Sequence, residues 1–322
     1  MDMETLFKNT QAYRLIKKES EENNNSHAYL LLLNDSRNLK SCLKLFAKLF
    51  FSTEYTEDKK RIGKLIDEEN FSDCLFFPTD GKKLTVEDAE KIKEESLLSP
   101  IEGRKKVFVL SDFAEANVQT QNKLLKLLEE PPEGVVFLLG ATSVFPVLTT
   151  VLSRTKKLEI LPFPILEINS TLSRIYGEKY DRETLEICSV ASGGILGEAQ
   201  NMLEGEYYKT LAENAFSLVL EEDYRLPQII KTVGETKYKK EILGLLRLIF
   251  RDALLKKTDE KLYQKSLLLG SEKSKIEETA KKYSLSALLY AQEALAKAEL
   301  DVQFNAVFPQ CLEICLANIR KK

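Results

Sequence analysis

The segment between the first strand-like run and the helix-like run that follows it has the position of a phosphate-binding loop but not its composition. Residues 34–41 read Asn-Asp-Ser-Arg-Asn-Leu-Lys-Ser. A loop that holds phosphate needs glycines, because glycine lets several backbone N–H groups converge closely on the phosphate oxygens. This segment contains no glycine, and Asp35 would add a negative charge beside the phosphates. We therefore predict a degenerate loop.

Lys40 and Ser41 resemble the end of the phosphate-loop pattern G-x-x-x-x-G-K-[ST], which occurs nowhere in the 322 residues. Leu39 stands where the glycine before the lysine belongs. We interpret Asn34, Lys40 and Ser41 as remnants of that loop. The prediction is that this chain performs no productive ATP hydrolysis.

The segment after the strand-like run at residues 106–110 also has fewer acidic residues than phosphoryl transfer needs. Phosphoryl transfer needs one carboxylate that holds Mg²⁺ and another group that orients the attacking water. Ser111 stands at the first acidic position, so that Asp112 alone remains. A single aspartate at a strand end favours a helix or turn cap, with a metal ligand as the alternative. Thr142 and Ser143, after the next strand-like run, are expected to make turn hydrogen bonds.

Arg154, in the dipeptide Ser153-Arg154, is the residue best suited to bind phosphate. A guanidinium is always charged and can fork onto two phosphate oxygens. The alternative interpretation is a surface arginine in a solvated basic run with Lys156 and Lys157. Taken alone, the residues favour that alternative, and only the neighbouring motifs reverse the preference.

Alternating strand-like and helix-like segments should position these residues. Unbroken short apolar runs are typical of strands that are buried on both faces. One helix should start with Thr85 as its N-cap and Asp88 near its third position, and another should stop before Pro131-Pro132. Strands that alternate with helices predict a parallel sheet covered on both faces. The predicted strands are 28–33, 75–78, 106–110, 135–139 and 158–161, and the predicted helices include 1–20, 39–51, 85–97, 116–130 and 145–152.

After Pro162-Phe163-Pro164 the pattern is helical to the end of the chain. Three short helices are predicted at 165–176, 182–191 and 196–203, and long amphipathic helices follow from about residue 206. In one of these, over residues 238–257, an apolar stripe is formed by Ile242, Leu245, Leu246, Ile249 and Phe250.

Composition and charge argue against several classes of function. The net charge of −3 argues against tight nonspecific nucleic-acid binding by this chain alone. Five scattered cysteines fit a reducing cytosol, and Cys74 is the only one in residues 51–100, so a four-cysteine zinc site cannot form there. His27 is the only histidine, which excludes a Ser-His-Asp triad elsewhere. No signal peptide and no membrane-spanning run is recognised, so a cytoplasmic location is expected.

Four motifs follow one another between residues 106 and 155. They are Lys106-Val-Phe-Val-Leu-Ser-Asp-Phe, Asn122-Lys-Leu-Leu-Lys-Leu-Leu-Glu-Glu-Pro-Pro-Glu-Gly, Val136-Phe-Leu-Leu-Gly-Ala-Thr-Ser and Leu152-Ser-Arg-Thr. In this combination they resemble the bacterial DNA polymerase III clamp-loader subunits, the gamma/tau and delta-prime proteins of the AAA+ superfamily. The resemblance is specific over about residues 100–160, weaker over 27–50 and only architectural beyond 165.

The resemblance implies an α/β N-terminal AAA+ domain with a RecA-like parallel sheet over residues 1–163. It further implies a small helical lid over 164–206 and an all-α collar for oligomerisation over 207–322. In this family the Ser-Arg dipeptide projects into the ATP site of the next subunit, so Ser153 and Arg154 are expected to act there in trans. Lys126 lies on a helix that can face DNA in relatives, but it is expected to be solvated.

Delta-prime proteins often have a degraded phosphate loop, so the resemblance favours a delta-prime-like, non-catalytic stator. Such a subunit assembles with gamma/tau and delta subunits and takes part in loading the sliding clamp onto primed DNA. It would bind no cofactor or metal itself, with ATP and Mg²⁺ at the neighbouring subunit. The alternatives are a divergent AAA+ ATPase with its own nucleotide site, or an adaptor protein that reuses the scaffold outside replication. A delta subunit ranks lower.

Overall fold

The computed structural model describes residues 2–52, 58–79, 83–205 and 207–322, except for the side chains of Tyr208 and Lys209. The chain divides into two compact units, Met1–Pro162 and Phe163–Lys322. All described strands lie in the first unit, and the described part of the second is helical. This arrangement confirms the predicted fold class. The further boundary predicted at residue 206 falls outside the described residues.

Five parallel strands form the sheet in the described part of the first unit, in the order β2-β3-β4-β1-β5. Every residue of the three central strands is buried, as continuous runs of leucine, valine and phenylalanine predict. The edge strand β5 alternates between buried and more exposed residues, because successive side chains point to opposite faces. The strands are β1 (Ala28–Leu33), β2 (Cys74–Phe77), β3 (Lys106–Leu110), β4 (Val135–Ala141) and β5 (Lys156–Ile160).

Helices come before and between these strands. They are α1 (Met3–Lys8), α2 (Gln11–Glu21), α3 (Ser36–Phe51), α4 (Lys59–Asp67), α5 (Val86–Ser96), α6 (Val118–Glu129) and α7 (Thr149–Leu152). The predicted cap of α5 is confirmed as a capping box. Thr85 Oγ1 accepts a hydrogen bond from the Asp88 N–H at 3.1 Å, and Asp88 Oδ2 accepts one from the Thr85 N–H at 2.9 Å.

Two predicted helices of the first unit differ from the observed ones. The helix predicted over residues 1–20 is two helices, because the Thr10 hydroxyl accepts a hydrogen bond from the first turn of α2 and so starts a new helix. The helix predicted over 145–152 is reduced to α7. The residues before α7 turn instead, since Ser143 Oγ accepts a hydrogen bond from the Phe145 N–H at 3.2 Å.

Helices cover both faces of the sheet, as predicted. On one face Leu30 and Phe137 belong to a continuous core with apolar residues of α5, α6 and α7. On the other face α3 packs closely against β4. A Cβ added at Gly140 would lie 2.6 Å from Leu43 Cδ1, so the absence of a side chain in β4 makes room for α3.

The second unit is helical throughout its described residues. Its helices are α8 (Ile165–Tyr176), α9 (Arg182–Ala191), α10 (Leu196–Gly205), α11 (Tyr208–Leu220), α12 (Leu226–Gly234), α13 (Lys239–Thr258), α14 (Glu260–Ser266), α15 (Lys273–Lys282), α16 (Leu285–Gln303) and α17 (Phe308–Arg320). The three short helices predicted first are confirmed as α8 to α10. The apolar stripe predicted on α13 is buried along its length. Among the described residues, no helix has both the length and the apolar composition needed to cross a bilayer.

Replacement of Gly140 by alanine should destabilise the first unit. The added methyl group would meet Leu43 at 2.6 Å, and overpacking a core costs about 1–3 kcal/mol. Gly63 in α4 is the matched control, because a Cβ added there meets nothing within 4 Å. Gly63→Ala should therefore stabilise by about 0.5–1 kcal/mol. Urea denaturation measures both, and a Gly140→Ala protein as stable as the wild type would contradict this packing.

Candidate functional site

The residues singled out from the sequence lie at two opposite edges of the parallel sheet. Asp35 follows the carboxyl end of β1, and Ser111 and Asp112 follow that of β3. Arg154 lies just before the amino end of β5, whose first residue pairs in register with the second residue of β1. At about 3.3 Å per residue, β1 separates these edges by roughly 17 Å. Arg154 is therefore remote from the start of α3.

The first turn of α3 is capped by a carboxylate of the chain itself. Asp35 Oδ1 accepts a hydrogen bond from the Asn38 N–H at 3.1 Å, and Asp35 Oδ2 accepts one from Asn38 Nδ2 at 2.8 Å. Both residues are buried. A helix N-terminus attracts anions because its first N–H groups lack helical partners and the helix dipole is positive there. Asp35 already satisfies that attraction, so these residues do not fit a nucleotide phosphate.

Lys40 is engaged in an ion pair away from the start of its helix. Lys40 Nζ and Lys44 Nζ lie 2.7 and 2.8 Å from Glu69 Oε1, just beyond the end of α4. Burial acts to raise the pKa of Glu69, but hydrogen bonds from the two lysines outweigh it and lower this pKa below its ordinary value. Ser41 and Asn34 are exposed. Asn34, Lys40 and Ser41 were predicted as remnants of one loop. Within the described part of the chain, neither Lys40 nor Ser41 forms a hydrogen bond with Asn34.

The carboxyl end of β3 carries two buried polar atoms. Asp112 has the left-handed backbone angles φ 48° and ψ 51° and precedes a 3₁₀ turn at Phe113–Glu115. Its carboxylate makes no capping hydrogen bond, so the predicted cap is wrong in that respect. Asp112 Oδ1 and Ser111 Oγ have no hydrogen-bond partner among the described residues. Burial, and then the charge of Glu115, raise the pKa of Asp112, whereas Lys83 acts to lower it.

The described side chains do not form a metal site from the residues that usually bind metals, which are histidine, cysteine, aspartate and glutamate. Nowhere in the described ranges do three or more His, Cys, Asp or Glu side chains group closely enough to hold a metal ion. The position before Asp112 carries a serine rather than a second acidic residue, and the nearby carboxylate of Glu115 is ion-paired with Lys83 at 2.6 Å. The residues present at the end of β3 therefore do not fit a magnesium ion held by two carboxylates.

Lys126 and Ser143 occupy surface positions. Lys126 is exposed in the last turn of α6, where a positive charge interacts favourably with the helix dipole. Ser143 is exposed after β4 and makes the turn hydrogen bond described above. Both residues have local structural roles in this unit.

Arg154 lies immediately after α7 and is partly exposed. Its Nη1 donates to Thr150 O at 3.0 Å and to Ser153 Oγ at 3.3 Å, and its Nη2 donates to Glu129 Oε2 at 3.0 Å. The Arg154 side chain is 30% exposed and that of Glu129 is 56% exposed. The Nε atom is buried and has no partner among the described residues. The guanidinium is thus a surface cation that is balanced by an exposed carboxylate.

Gln121 attaches the start of α7 to the first turn of α6. It is buried, its Nε2 donates to Ala116 O at 2.9 Å and to Pro146 O at 3.0 Å, and its Oε1 accepts from the Leu148 N–H at 2.9 Å. Leu148 is the N-cap residue of α7. Because a buried amide must satisfy both its donors and its acceptor, these bonds define the path of the chain toward Arg154.

Gln121 and Glu129 were not predicted as functional residues from the sequence. Gln121 lies three and seven residues before Leu124 and Leu128, on the buried face of α6. A polar residue on such a face is a signal for an internal hydrogen-bond network. Glu129 is the last residue of α6, where a carboxylate opposes the helix dipole unless a cation pairs with it. Both signals were present in the sequence, although their partners were not evident.

Replacement of Asp35 by alanine should destabilise the first unit. The change removes the N-cap of α3 and the bond from Asn38 Nδ2, and loss of an N-cap costs about 1 kcal/mol, with a range of about 0.5–2. Asp35→Asn is the control, because asparagine caps helices about as well as aspartate. Urea denaturation should place Asp35→Asn near the wild type and Asp35→Ala below both. Equal stability of the two variants would argue against the cap.

The N-terminal unit matches a known family. Residues 8–164 match the family model described as DNA polymerase III, delta subunit. The gamma subunit of DNA polymerase III from Buchnera aphidicola subsp. Baizongia pistaciae is 28% identical over 142 residues, which are 43% of this chain and 38% of that protein. The tau subunit from Escherichia coli K12 is 28% identical over 142 residues, which are 43% of this chain and 22% of that protein. The chain thus spans less than two fifths of the length of these relatives.

Two solved structures are similar to nearly the whole chain at low identity. A DNA polymerase III gamma-subunit-related protein from Thermotoga maritima has 19% identity and a TM-score of 0.41, over 97% of this chain and 99% of that one. The DNA clamp loader delta protein from Bacillus subtilis has 15% identity and a TM-score of 0.35, over 96% and 99%. At these TM-scores neither structure bears on function. The family match covers nearly all of the N-terminal unit, and over these residues the chain is similar to subunits of the DNA polymerase III clamp loader.

Proposed function

We propose that this chain is a non-catalytic clamp-loader subunit of the delta-prime kind. It assembles with gamma/tau and delta subunits in the cytoplasm, and the complex loads the sliding clamp onto primed DNA. Its own part is to supply Arg154 to the ATP site of a neighbouring subunit, which binds the ATP and Mg²⁺. Ser153 positions that arginine through the contact of its hydroxyl with Nη1.

The observation that carries this proposal is the separation of Arg154 from the start of α3. The two lie at opposite edges of the sheet, about the length of β1 apart. A guanidinium at the amino edge does not reach a phosphate at the carboxyl edge of the same chain, but another subunit can present one to it. An arginine supplied in this way stabilises the charge on the transferring phosphoryl group.

The occupied start of α3 supports the non-catalytic part of the proposal. Asp35 places a buried negative charge at the first turn of α3, where it binds the Asn38 N–H, and Lys40 is paired with Glu69. A phosphate that approached this helix would meet like charge and would have to displace an internal hydrogen bond. Both effects lower its affinity.

Exposed apolar residues on the last two helices support assembly through the second unit. Leu289, Leu300 and Phe304 recur at spacings that place them on one face of α16 and its end, and they are 55%, 56% and 81% exposed. Ile314 on α17 is 64% exposed. Burial of these exposed apolar side chains against another subunit would favour association. It is consistent with the collar that the family resemblance implies.

Arg154→Ala should slow hydrolysis at the neighbouring ATP site in a reconstituted complex. An arginine supplied in trans contributes about 10³–10⁵-fold to the rate, so in a rapid-quench experiment one site per complex should lose its fast phase while the others retain theirs. Arg154→Lys retains the charge but not the planar fork, so it should recover only part of the rate. Lys157→Ala is the control in the same basic run, since Lys157 is ion-paired to Glu159 at 3.5 Å. It should leave every site unchanged.

Two further measurements on the same samples complete this test. Size-exclusion chromatography should show that Arg154→Ala assembles with gamma/tau as the wild type does. A full fast phase from an intact Arg154→Ala complex would rule out the role in trans. ATP titration of the isolated chain tests the non-catalytic part, because micromolar affinity with Mg²⁺-dependent hydrolysis would favour a divergent ATPase.

A further inference from the structure

The guanidinium of Arg154 is folded back onto its own chain. Its Nη1 is bonded to the carbonyl of Thr150 and the hydroxyl of Ser153, and its Nη2 is bonded to Glu129. All three partners belong to the same unit as the arginine. In this position three of the five N–H groups are bonded within the chain, so Nη2 must turn away from Glu129 before the guanidinium can bind an anion on another subunit through two parallel bonds.

Glu129 has a physical reason of its own to hold a cation. It is the last residue of α6, where the helix dipole is negative and a carboxylate is disfavoured. Arg154 Nη2 lies 3.0 Å from Glu129 Oε2. The positive charge of the guanidinium offsets both the negative charge of the carboxylate and the negative end of the helix dipole. The pair joins the end of α6 to the segment between α7 and β5.

The folded-back position leaves the arginine incompletely bonded. Arg154 Nε is buried without a partner among the described residues, and Nη2 contacts one oxygen of Glu129. Guanidinium groups bind anions best through two parallel N–H···O bonds. A phosphate that offers two oxygens to Nε and Nη2 would satisfy more donors than Glu129 does. Glu129 is therefore a replaceable partner.

The backbone around this pair is held by other contacts. Gln121 bonds to Ala116 O, Pro146 O and the Leu148 N–H, and these bonds connect α6 with the start of α7 independently of the ion pair. Exchange of the partner of Arg154 therefore requires rotation of a side chain rather than movement of a helix.

We propose that Glu129 is a positioning residue that docks Arg154 in the unassembled subunit and competes for it with a phosphate of the neighbour's nucleotide. This role rests on the proposed function of Arg154. Association with a nucleotide-loaded neighbour exchanges the carboxylate for phosphate oxygens. The arginine is thereby kept on its own chain until a neighbouring site is filled.

Glu129→Gln tests this role by rapid-quench ATP hydrolysis in the complete reconstituted complex. Glutamine has nearly the same size but no charge, so it competes less for the arginine. The rate constant at the adjacent site should rise about two- to five-fold, which is the range that an exposed ion pair corresponds to. The difference from the wild type should shrink at high salt, because salt screens the ion pair. A merely structural role of Glu129 would not produce that salt dependence.

Glu130→Gln is the matched control for loss of a carboxylate. Glu130 is the next residue, is exposed, and forms no ion pair with any other described residue. Its variant should hydrolyse ATP at the wild-type rate. The double variant Glu129→Gln, Arg154→Ala should be as slow as Arg154→Ala alone, because Glu129 acts through the arginine.

The outcomes separate this inference from the proposed function. If Arg154→Ala is slow but Glu129→Gln is no faster than the wild type, the docking role is overturned and the function of Arg154 stands. A rise in the double variant above Arg154→Ala would also overturn it. If Arg154→Ala is as fast as the wild type, the proposed function fails and this inference fails with it.

Discussion

The parallel pairing of β1 between β4 and β5 is the constraint on which the position of every candidate residue depends. Leu30 of β1 is in register with Leu139 of β4 on one side and with Lys157 of β5 on the other. The chain that leaves β4 at the carboxyl edge must therefore return to the amino edge, past β1, before β5 begins. The short helix α7 lies on that return path, and Arg154 lies between the end of α7 and the start of β5. The topology of the sheet thus places the arginine far from the start of α3.

Two helix ends in this unit meet two carboxylates, with opposite consequences. Asp35 lies at the N-terminus of α3, where the dipole favours a negative charge, and it is buried and hydrogen-bonded there. Glu129 lies at the C-terminus of α6, where the dipole opposes it, and it is exposed and paired with a cation. The first arrangement closes an anion site within the chain. The second holds a cation at the surface by an interaction that another anion can replace.

The strands and the short helices were predictable because their signals are local. Short apolar runs predicted the four strands β1 to β4, the alternating Leu158-Glu159-Ile160 lies in the predicted fifth strand, and the Thr85-x-x-Asp88 pattern predicted the capping box of α5. The errors came from side-chain contacts that compete with helix propensity. Thr10 caps a second helix inside a stretch that reads as one, and Ser143 forms a turn ahead of α7. Asp112 was expected to cap through its carboxylate, but the adjacent backbone adopts a left-handed conformation and the carboxylate makes no such bond.

The sequence by itself determined that the loop before α3 lacks glycine and that the last motif contains an arginine, because both are matters of residue identity. It also determined the α/β class and the change to helices after Pro162, because these follow from hydrophobic periodicity over neighbouring residues. Only the tertiary structure decided that Arg154 pairs with Glu129, which is 25 residues away, and that Gln121 joins α6 to the start of α7. Those contacts depend on how the strands pair and how helices pack on the sheet. No local pattern specifies such distances, since they arise when the whole sheet and its helices are assembled.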